Sequence, residues 1–203
     1  MRDTLVQNSL VNKDYLETIK VFDGKIYNLS YHQERYNNVI NQLGIQKTKQ
    51  LKEYINPPSV GLYRCRIFYN ANNISVTYHP YIKKDIHSLK IVFDDTIEYQ
   101  KKYANRDNID ILYQQKGICD DVLIIKNSFV TDTSIANIAF YKDGVWRTPK
   151  SPLLQGTTRK RLLKEKKIIE EEIRVEDIDS FTGVALMNAM IDFDILESCK
   201  FLL

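Results

Sequence analysis

Between Tyr15 and Leu29 two short strand-like runs, YLETIKV and KIYNL, flank Asp23-Gly24. An Asp-Gly pair between two such runs predicts a hairpin closed by a type I′ turn. Ser30 follows with Gln33 three residues on, a capping-box spacing, and Tyr36, Val39, Ile40 and Leu43 form an i, i+3, i+4, i+7 apolar stripe. A helix ending near Gly44 is predicted. A second helical piece around residues 48–55 must stop at Pro57-Pro58, because the residue before a proline is pushed out of the helical region. GLYRCRIFYN and ISVTYHPYI, rich in Tyr, Ile and Val and separated by residues 71–73, predict a second hairpin, and LKIVF predicts a further strand before Asp94-Asp95.

Beyond about residue 95 the order changes. A helix over residues 105–116 closed by Gly117 precedes a strand (DVLIIK), a turn, a strand (ANIAFY), an Asp143-Gly144 turn, a strand (VWRT) and a helix from about Thr157. The stretch SFTGVALMNAMIDF reads as strand and turn beside a core. With no repeat, low-complexity tract or long linker, the pattern gives an α+β fold of two packed lobes, 1–95 and 96–203. The cleft between them is the default ligand site.

Composition narrows the class. Of 203 residues 43% are hydrophobic and 27% charged, which places the chain among ordinary folded domains. Lys plus Arg number 29 against 26 Asp plus Glu, and the resulting charge of +3 is too small for a dedicated nucleic-acid binder. The odd count of 3 cysteines contains no CxxC pair, so neither a disulfide framework nor a structural zinc is indicated, and a reducing cytosol fits best. No run approaches the roughly 18 apolar residues of a membrane helix, so no membrane partner and a soluble, cytoplasmic protein are expected. Neither GxGxxG nor a P-loop occurs, and His79 and His87 lack spaced metal-ligating partners.

Several constellations carry two readings. In PLLQGTTRKRLL, Gly156, Thr157 and Thr158 stand directly before a helical stripe, where free N–H groups and the positive end of the dipole would suit an anion. Alternatively one threonine is simply the N-cap. His32 and Arg35 share a helix face at i, i+3 and could line a cleft, or be an ordinary satisfied histidine and a surface arginine. The adjacent Lys101 and Lys102 could depress each other's pKa toward values useful for carbonyl chemistry, although such pairs are usually solvated. Asp132 lies among small and hydroxylic residues in VTDTSIANIAF, where it is either a functional carboxylate or a turn former. In RKRLLKEKK, pairs Lys166/Glu170 and Lys167/Glu171 favour a solvated helix face over a nucleic-acid patch.

Taken in chain order, LETIKVFDGKIYNLSYHQERYN, KYANR, VTDTSIANIAFYKDGVWRTP, PLLQGTTRKRLL and FTGVALMNAM resemble the class IV aminotransferases, the fold-type IV pyridoxal-phosphate enzymes. The resemblance implies a two-lobed α+β fold like that of D-amino-acid aminotransferase, with the larger lobe carrying the cofactor lysine. KxxNR and ALMNAM are most similar to the 4-amino-4-deoxychorismate lyases, which release 4-aminobenzoate, a folate precursor. A branched-chain or D-amino-acid aminotransferase is the alternative, and a non-catalytic scaffold retaining the fold is an alternative of another class.

By the same resemblance Lys102 holds pyridoxal 5′-phosphate covalently and shuttles protons, with Lys101 as competitor. Arg35, Thr158 and the N–H groups of Thr157 and Thr158 bind the phosphate. Asp132 stands where the family usually has Glu and pairs with the pyridine nitrogen. Arg64 or Arg66 recognises the carboxylate of an amino-acid-like substrate. A phosphate-contacting threonine of some relatives falls at Val184, with Thr182 two residues away. The family usually carries a longer N-terminus with an arginine- and glycine-rich segment before the LET block, and with some 14 residues ahead of Tyr15 here a trimmed small lobe is expected. A homodimer is expected, because relatives close their site with a neighbouring subunit; the 13 tyrosines suit an interface, or a tyrosine core.

Overall fold

The computed structural model describes residues 13–203. They fall into two compact units: the chain up to Ile82 together with Lys101–Asn105, and Lys83–Gln100 together with Arg106–Leu203.

In the first unit, β1 (Tyr15–Phe22) and β2 (Lys25–Ile26) form the expected hairpin. Asp23 and Gly24 take φ of 46° and 74°, the positive values that a type I′ turn demands at both central positions. Strands β3 (Leu62–Tyr69) and β4 (Ile74–Pro80) complete an antiparallel sheet of order β2-β1-β3-β4. Helix α1 (Leu29–Gln42) starts one residue before Ser30, with Asn28 as a left-handed N-cap that makes no side-chain cap bond, so the expected capping box does not form. Gln33 is then too deep in the helix to reach back. Its amide donates to Asn37 Oδ1 at 2.8 Å and to the Lys49 carbonyl at 2.9 Å, and its oxygen accepts from Leu51 N at 2.7 Å. The second helical piece shrinks to a 3-10 turn, Leu51–Tyr54.

Alternation along β1 and β3 buries Tyr15, Ile19 and Val21 with Cys65, Ile67 and Tyr69 under Tyr36, Val39 and Ile40 of α1. Tyrosines supply much of this core: the Tyr15 and Tyr69 rings stack at 5.6 Å and Tyr36 meets Tyr69 edge-on at 4.9 Å. Lys101–Asn105 runs beside β1, where Leu16 N donates to the Lys102 carbonyl at 2.8 Å and Ala104 N to that of Asp14 at 2.9 Å. These bonds draw Lys102 into the first unit, a partition that differs from a single boundary near residue 95.

The second unit holds a nine-stranded sheet of order β10-β9-β8-β7-β6-β5-β13, with β11 also paired to β8 and β12 to β11. Its strands are β5 (Ser88–Phe93), β6 (Asp121–Lys126), β7 (Phe129–Thr133), β8 (Asn137–Lys142), β9 (Val145–Pro149), β10 (Ile169–Glu171), β11 (Gly183–Asn188), β12 (Asp192–Leu196) and β13 (Lys200–Leu202). β5 belongs here because it pairs in parallel with β6, whose unbroken apolar run is buried on both faces. Two helices, α2 (Asp107–Gln114) and α3 (Thr157–Lys164), complete the unit.

Among the strands not legible from pattern are β7 and β10. β7 reads as a turn because three of its five residues are Thr or Asp, yet Thr131 and Asp132 are buried and Thr131 Oγ1 donates to the Ile124 carbonyl at 2.7 Å. β10 reads as the end of a helix, but α3 stops at Lys164 and Lys166 turns the chain at φ 55°. The expected Lys166/Glu170 and Lys167/Glu171 pairs are replaced: Glu170 accepts from Arg159 at 2.7 Å and Glu171 from Arg147 at 2.8 Å.

Candidate functional site

In the first unit the inward row of β1 is apolar except at Glu17, which is fully buried. The i, i+3 spacing on α1 brings His32 and Arg35 over it. Arg35 donates from Nε to Glu17 Oε1 at 2.7 Å and from Nη2 to Oε2 at 2.6 Å, a fork-to-carboxylate pair, and His32 Nδ1 meets Oε2 at 2.6 Å. Burial alone would raise the Glu17 carboxyl. The charge of Arg35 and the bonds from His32 and Arg35 overcome it and bring the pKa down to about 2. Burial pushes His32 below its ordinary value against the pull of Glu17, which favours the neutral ring with its proton on Nδ1.

Lys102 sits in reach of this cluster, its charge being one of the influences that hold His32 down. Lys101 has other surroundings: burial, and then Lys13, push its ammonium below the ordinary value. The two adjacent lysines are therefore not equivalent. Arg64 and Arg66 lie elsewhere. Their cross-strand neighbours are Lys20 and His79 for Arg64, and Thr18 and Thr77 for Arg66, all on the sheet face opposite Glu17 and Ile67. Arg66 stacks over the Phe68 ring at 4.7 Å.

In the second unit Asp132 lies opposite Asn137 across β7 and β8. Asn137 Nδ2 donates to Asp132 Oδ1 at 2.6 Å, and Leu154 N donates to Oδ2 at 2.9 Å. Burial lifts the Asp132 carboxyl to about 6, against the bonds from Leu154 and Asn137 and the charge of Arg159. Leu154 leads within three residues to α3, whose N-cap is Gly156 in extended backbone. Neither threonine is the cap: Thr157 and Thr158 occupy the first two helical positions with buried side chains. Their N–H groups belong to the first turn, which has no intrahelical acceptor and carries the positive end of the dipole.

Gly156 is required by contact rather than by backbone angle. A Cβ there would lie 2.0 Å from Asn137 Oδ1, while φ is −67°. Gly156→Ala is expected to cost about 1–3 kcal/mol by overpacking, read as a lower denaturant midpoint; an unchanged midpoint would mean that Asn137 yields freely. Val184 is buried in the core against Phe140 across β8 and β11, and Thr182 Oγ1 donates to the Tyr141 carbonyl at 3.3 Å. A separate cavity of about 360 Å³ opens beside Tyr99, Lys126, Thr131 and Leu153, lined by none of the residues singled out from the sequence.

Glu17 and Asn137 escaped the sequence reading. An acid on the inward side of an otherwise apolar alternating strand is the mark that would have exposed Glu17; Asn137 had no comparable mark.

Comparison with known proteins bears on this constellation. The sequence profile of amino-transferase class IV matches residues 97–194. A protein of Haemophilus influenzae described only as uncharacterized is 40% identical, over 86% of this chain and 96% of its own. The crystal structure of a proposed 4-amino-4-deoxychorismate lyase from Haemophilus somnus is 37% identical with a TM-score of 0.82, covering 88% of this chain and 97% of that one. The branched-chain amino acid aminotransferase of Escherichia coli shares the fold at a TM-score of 0.73 and 14% identity, over 95% of this chain and 78% of that one. Among the described residues no helix is long and apolar enough to cross a membrane.

Proposed function

This chain belongs to the class IV aminotransferases, enzymes that depend on pyridoxal phosphate, and from that membership we propose that it is the lyase of the family, converting 4-amino-4-deoxychorismate to 4-aminobenzoate and pyruvate. The observation that carries the lyase reading is the likeness to the Haemophilus somnus protein, at 37% identity over nearly its whole length.

The donor set fits the cofactor. A buried carboxylate, Asp132, is connected through Asn137 and the 154–156 loop to the N-terminus of α3, so a carboxylate and a helix N-terminus stand together in one unit, which supports this reading. When bound, pyridoxal phosphate supplies an electron sink for the carbanion formed at the substrate α-carbon. Asp132 would hold the proton on the pyridine nitrogen. Thr157 and Thr158 would receive the phosphate on their N–H groups and the Thr158 hydroxyl, and Arg35 would add a guanidinium whose orientation Glu17 fixes. The Lys102 amine would bind the cofactor and, once displaced by the substrate amine, take the α-proton. Arg64 or Arg66, on the opposite sheet face from Arg35, would bind the substrate carboxylate of a neighbouring subunit in a homodimer. Arg64→Ala or Arg66→Ala is then expected to raise KM about tenfold with the visible cofactor band intact; if neither variant changes the kinetics, this assignment fails.

A carboxyl that titrates near 6 implies a pH dependence. Between its ordinary value of 3.8 and about 6, Asp132 is protonated in the folded protein. Below about pH 6 it would therefore lose its charge, and cofactor affinity is expected to fall by up to about tenfold per pH unit. Absorbance titration with pyridoxal phosphate from about pH 5 to about pH 7.5 reads the effect. Asp132→Asn should remove the step, and a step that survives in this variant belongs to another group.

Incubation with 4-amino-4-deoxychorismate, and separately with amino-acid and keto-acid pairs, tests the reaction. 4-Aminobenzoate with pyruvate is expected. Pyridoxamine-phosphate formation without 4-aminobenzoate would make the protein a transaminase.

A further inference from the structure

Asn137 opens β8 with its side chain almost wholly buried, and each end of its amide has a defined neighbour. Nδ2 donates both to Asp132 Oδ1 at 2.6 Å and to the Leu154 carbonyl at 2.9 Å. The Leu154 N–H closes the circuit by donating to the other carboxylate oxygen, Asp132 Oδ2, at 2.9 Å. On its far side, Asn137 Oδ1 lies so close to Gly156 that a Cβ there would be 2.0 Å away. One side chain thus holds the carboxylate on β7, the backbone of the loop and the residue that starts α3.

That arrangement does more than satisfy buried groups. Two donors, one on Asn137 and one on Leu154, take one carboxylate oxygen each and leave the group no freedom to rotate. The same loop residue leads into the helix end two residues later, so the distance between carboxylate and helix N-terminus is set by this circuit. Asparagine is the side chain that serves. Aspartate would put an acceptor against two acceptors, glutamine would add a methylene where Gly156 already leaves no room, and alanine would strip Asp132 Oδ1 and the Leu154 carbonyl of their donor.

We propose that Asn137 is a positioning residue, fixing the Asp132 carboxylate at a set distance and orientation from the N-terminus of α3 so that the two can address opposite ends of one bound pyridoxal phosphate. The inference rests on the cofactor reading given above and gives Asn137 a defined role within it. It also explains how a carboxylate one methylene shorter than glutamate is kept from swinging away.

The test uses Asn137→Ala and two readouts beside activity. Carbon-13 NMR of the Asp132 carboxyl, in protein freed of cofactor, should show titration shifted upward by about one pH unit, because a donor to the charged form is gone. Absorbance titration should show pyridoxal-phosphate affinity reduced about tenfold or more, while inorganic phosphate, as a competitor for α3, should bind within about threefold of wild type. Should Asn137→Ala not fold, Asn137→Asp keeps the shape, opposes acceptor to acceptor, and should shift the Asp132 titration further in the same direction. An unchanged carboxyl titration with unchanged cofactor affinity would overturn the proposal. So would equal losses of pyridoxal phosphate and phosphate, which would make Asn137 a structural residue only. Wild-type protein that gives no visible band with pyridoxal phosphate would instead sink the cofactor reading, and the carboxyl titration would still decide whether Asn137 governs Asp132.

Discussion

Lys102→Ala is expected to lower kcat/KM by about a thousandfold or more, because no other group would then supply both the covalent hold on the cofactor and the base at the α-carbon. Lys101→Ala should stay within about tenfold of wild type. The difference rests on surroundings, since Lys102 bears on the buried His32 whereas Lys101 faces Lys13. Steady-state kinetics of both variants, with absorbance spectra after addition of pyridoxal phosphate, check it. A dead Lys101→Ala beside an active Lys102→Ala would exchange the two assignments and leave the chemistry in place.

Arg35→Met should be the most destabilising single change in the first unit. It leaves Glu17, which is 0% exposed, without its bidentate partner, and breaking a buried pair from one side typically costs about 3–5 kcal/mol. Denaturant unfolding reads the loss. The double variant Arg35→Met with Glu17→Met should recover much of it, because the uncompensated charge is then gone. Equal stability of the single variant and wild type would mean that the cluster is not formed in solution. The sign of the pH dependence follows from the depressed carboxyl. The Glu17 contribution is fully present above its ordinary 4.5 and is lost as pH falls toward about 2. His32, held below its ordinary 6.5, has to gain a proton in the same acid direction, so the first unit should lose stability as pH falls below about 6, whereas Asp132, raised to about 6, works in the opposite direction in the second unit.

Most of the first unit was legible because its elements follow simple periods: alternation for β1 and β3, a helical stripe for α1, and a turn pair with two positive φ values at Asp23-Gly24. The second unit yielded less where polar residues are buried. β7 carries Thr131, Asp132 and Thr133 inside the protein, each satisfied by partners that sequence spacing does not reveal, so its composition resembles a loop. β10 was hidden because its glutamates sit at helical spacing from lysines, while their actual partners, Arg147 and Arg159, come from β9 and α3.

For the candidate site, the residue types were readable and the supporting ones were not. Asp132, Thr157 and Thr158 stood out by position in the chain, yet the atom that ties the first to the helix end belongs to Asn137, on the next strand. Arg35 was legible as a cation on a helix face, but its partner Glu17 is brought to it only by packing α1 on the sheet. Arg64 and Arg66 share one face by simple alternation, and only the register of β1 against β3 shows that this face lies opposite Glu17.

Borohydride reduction of the protein loaded with pyridoxal phosphate, followed by peptide mapping, tests the central assignment most directly. A stoichiometric pyridoxyl group on the peptide containing Lys102, at the residue itself, is the predicted result. A protein that stays colourless with added pyridoxal phosphate and yields no modified lysine would contradict the account.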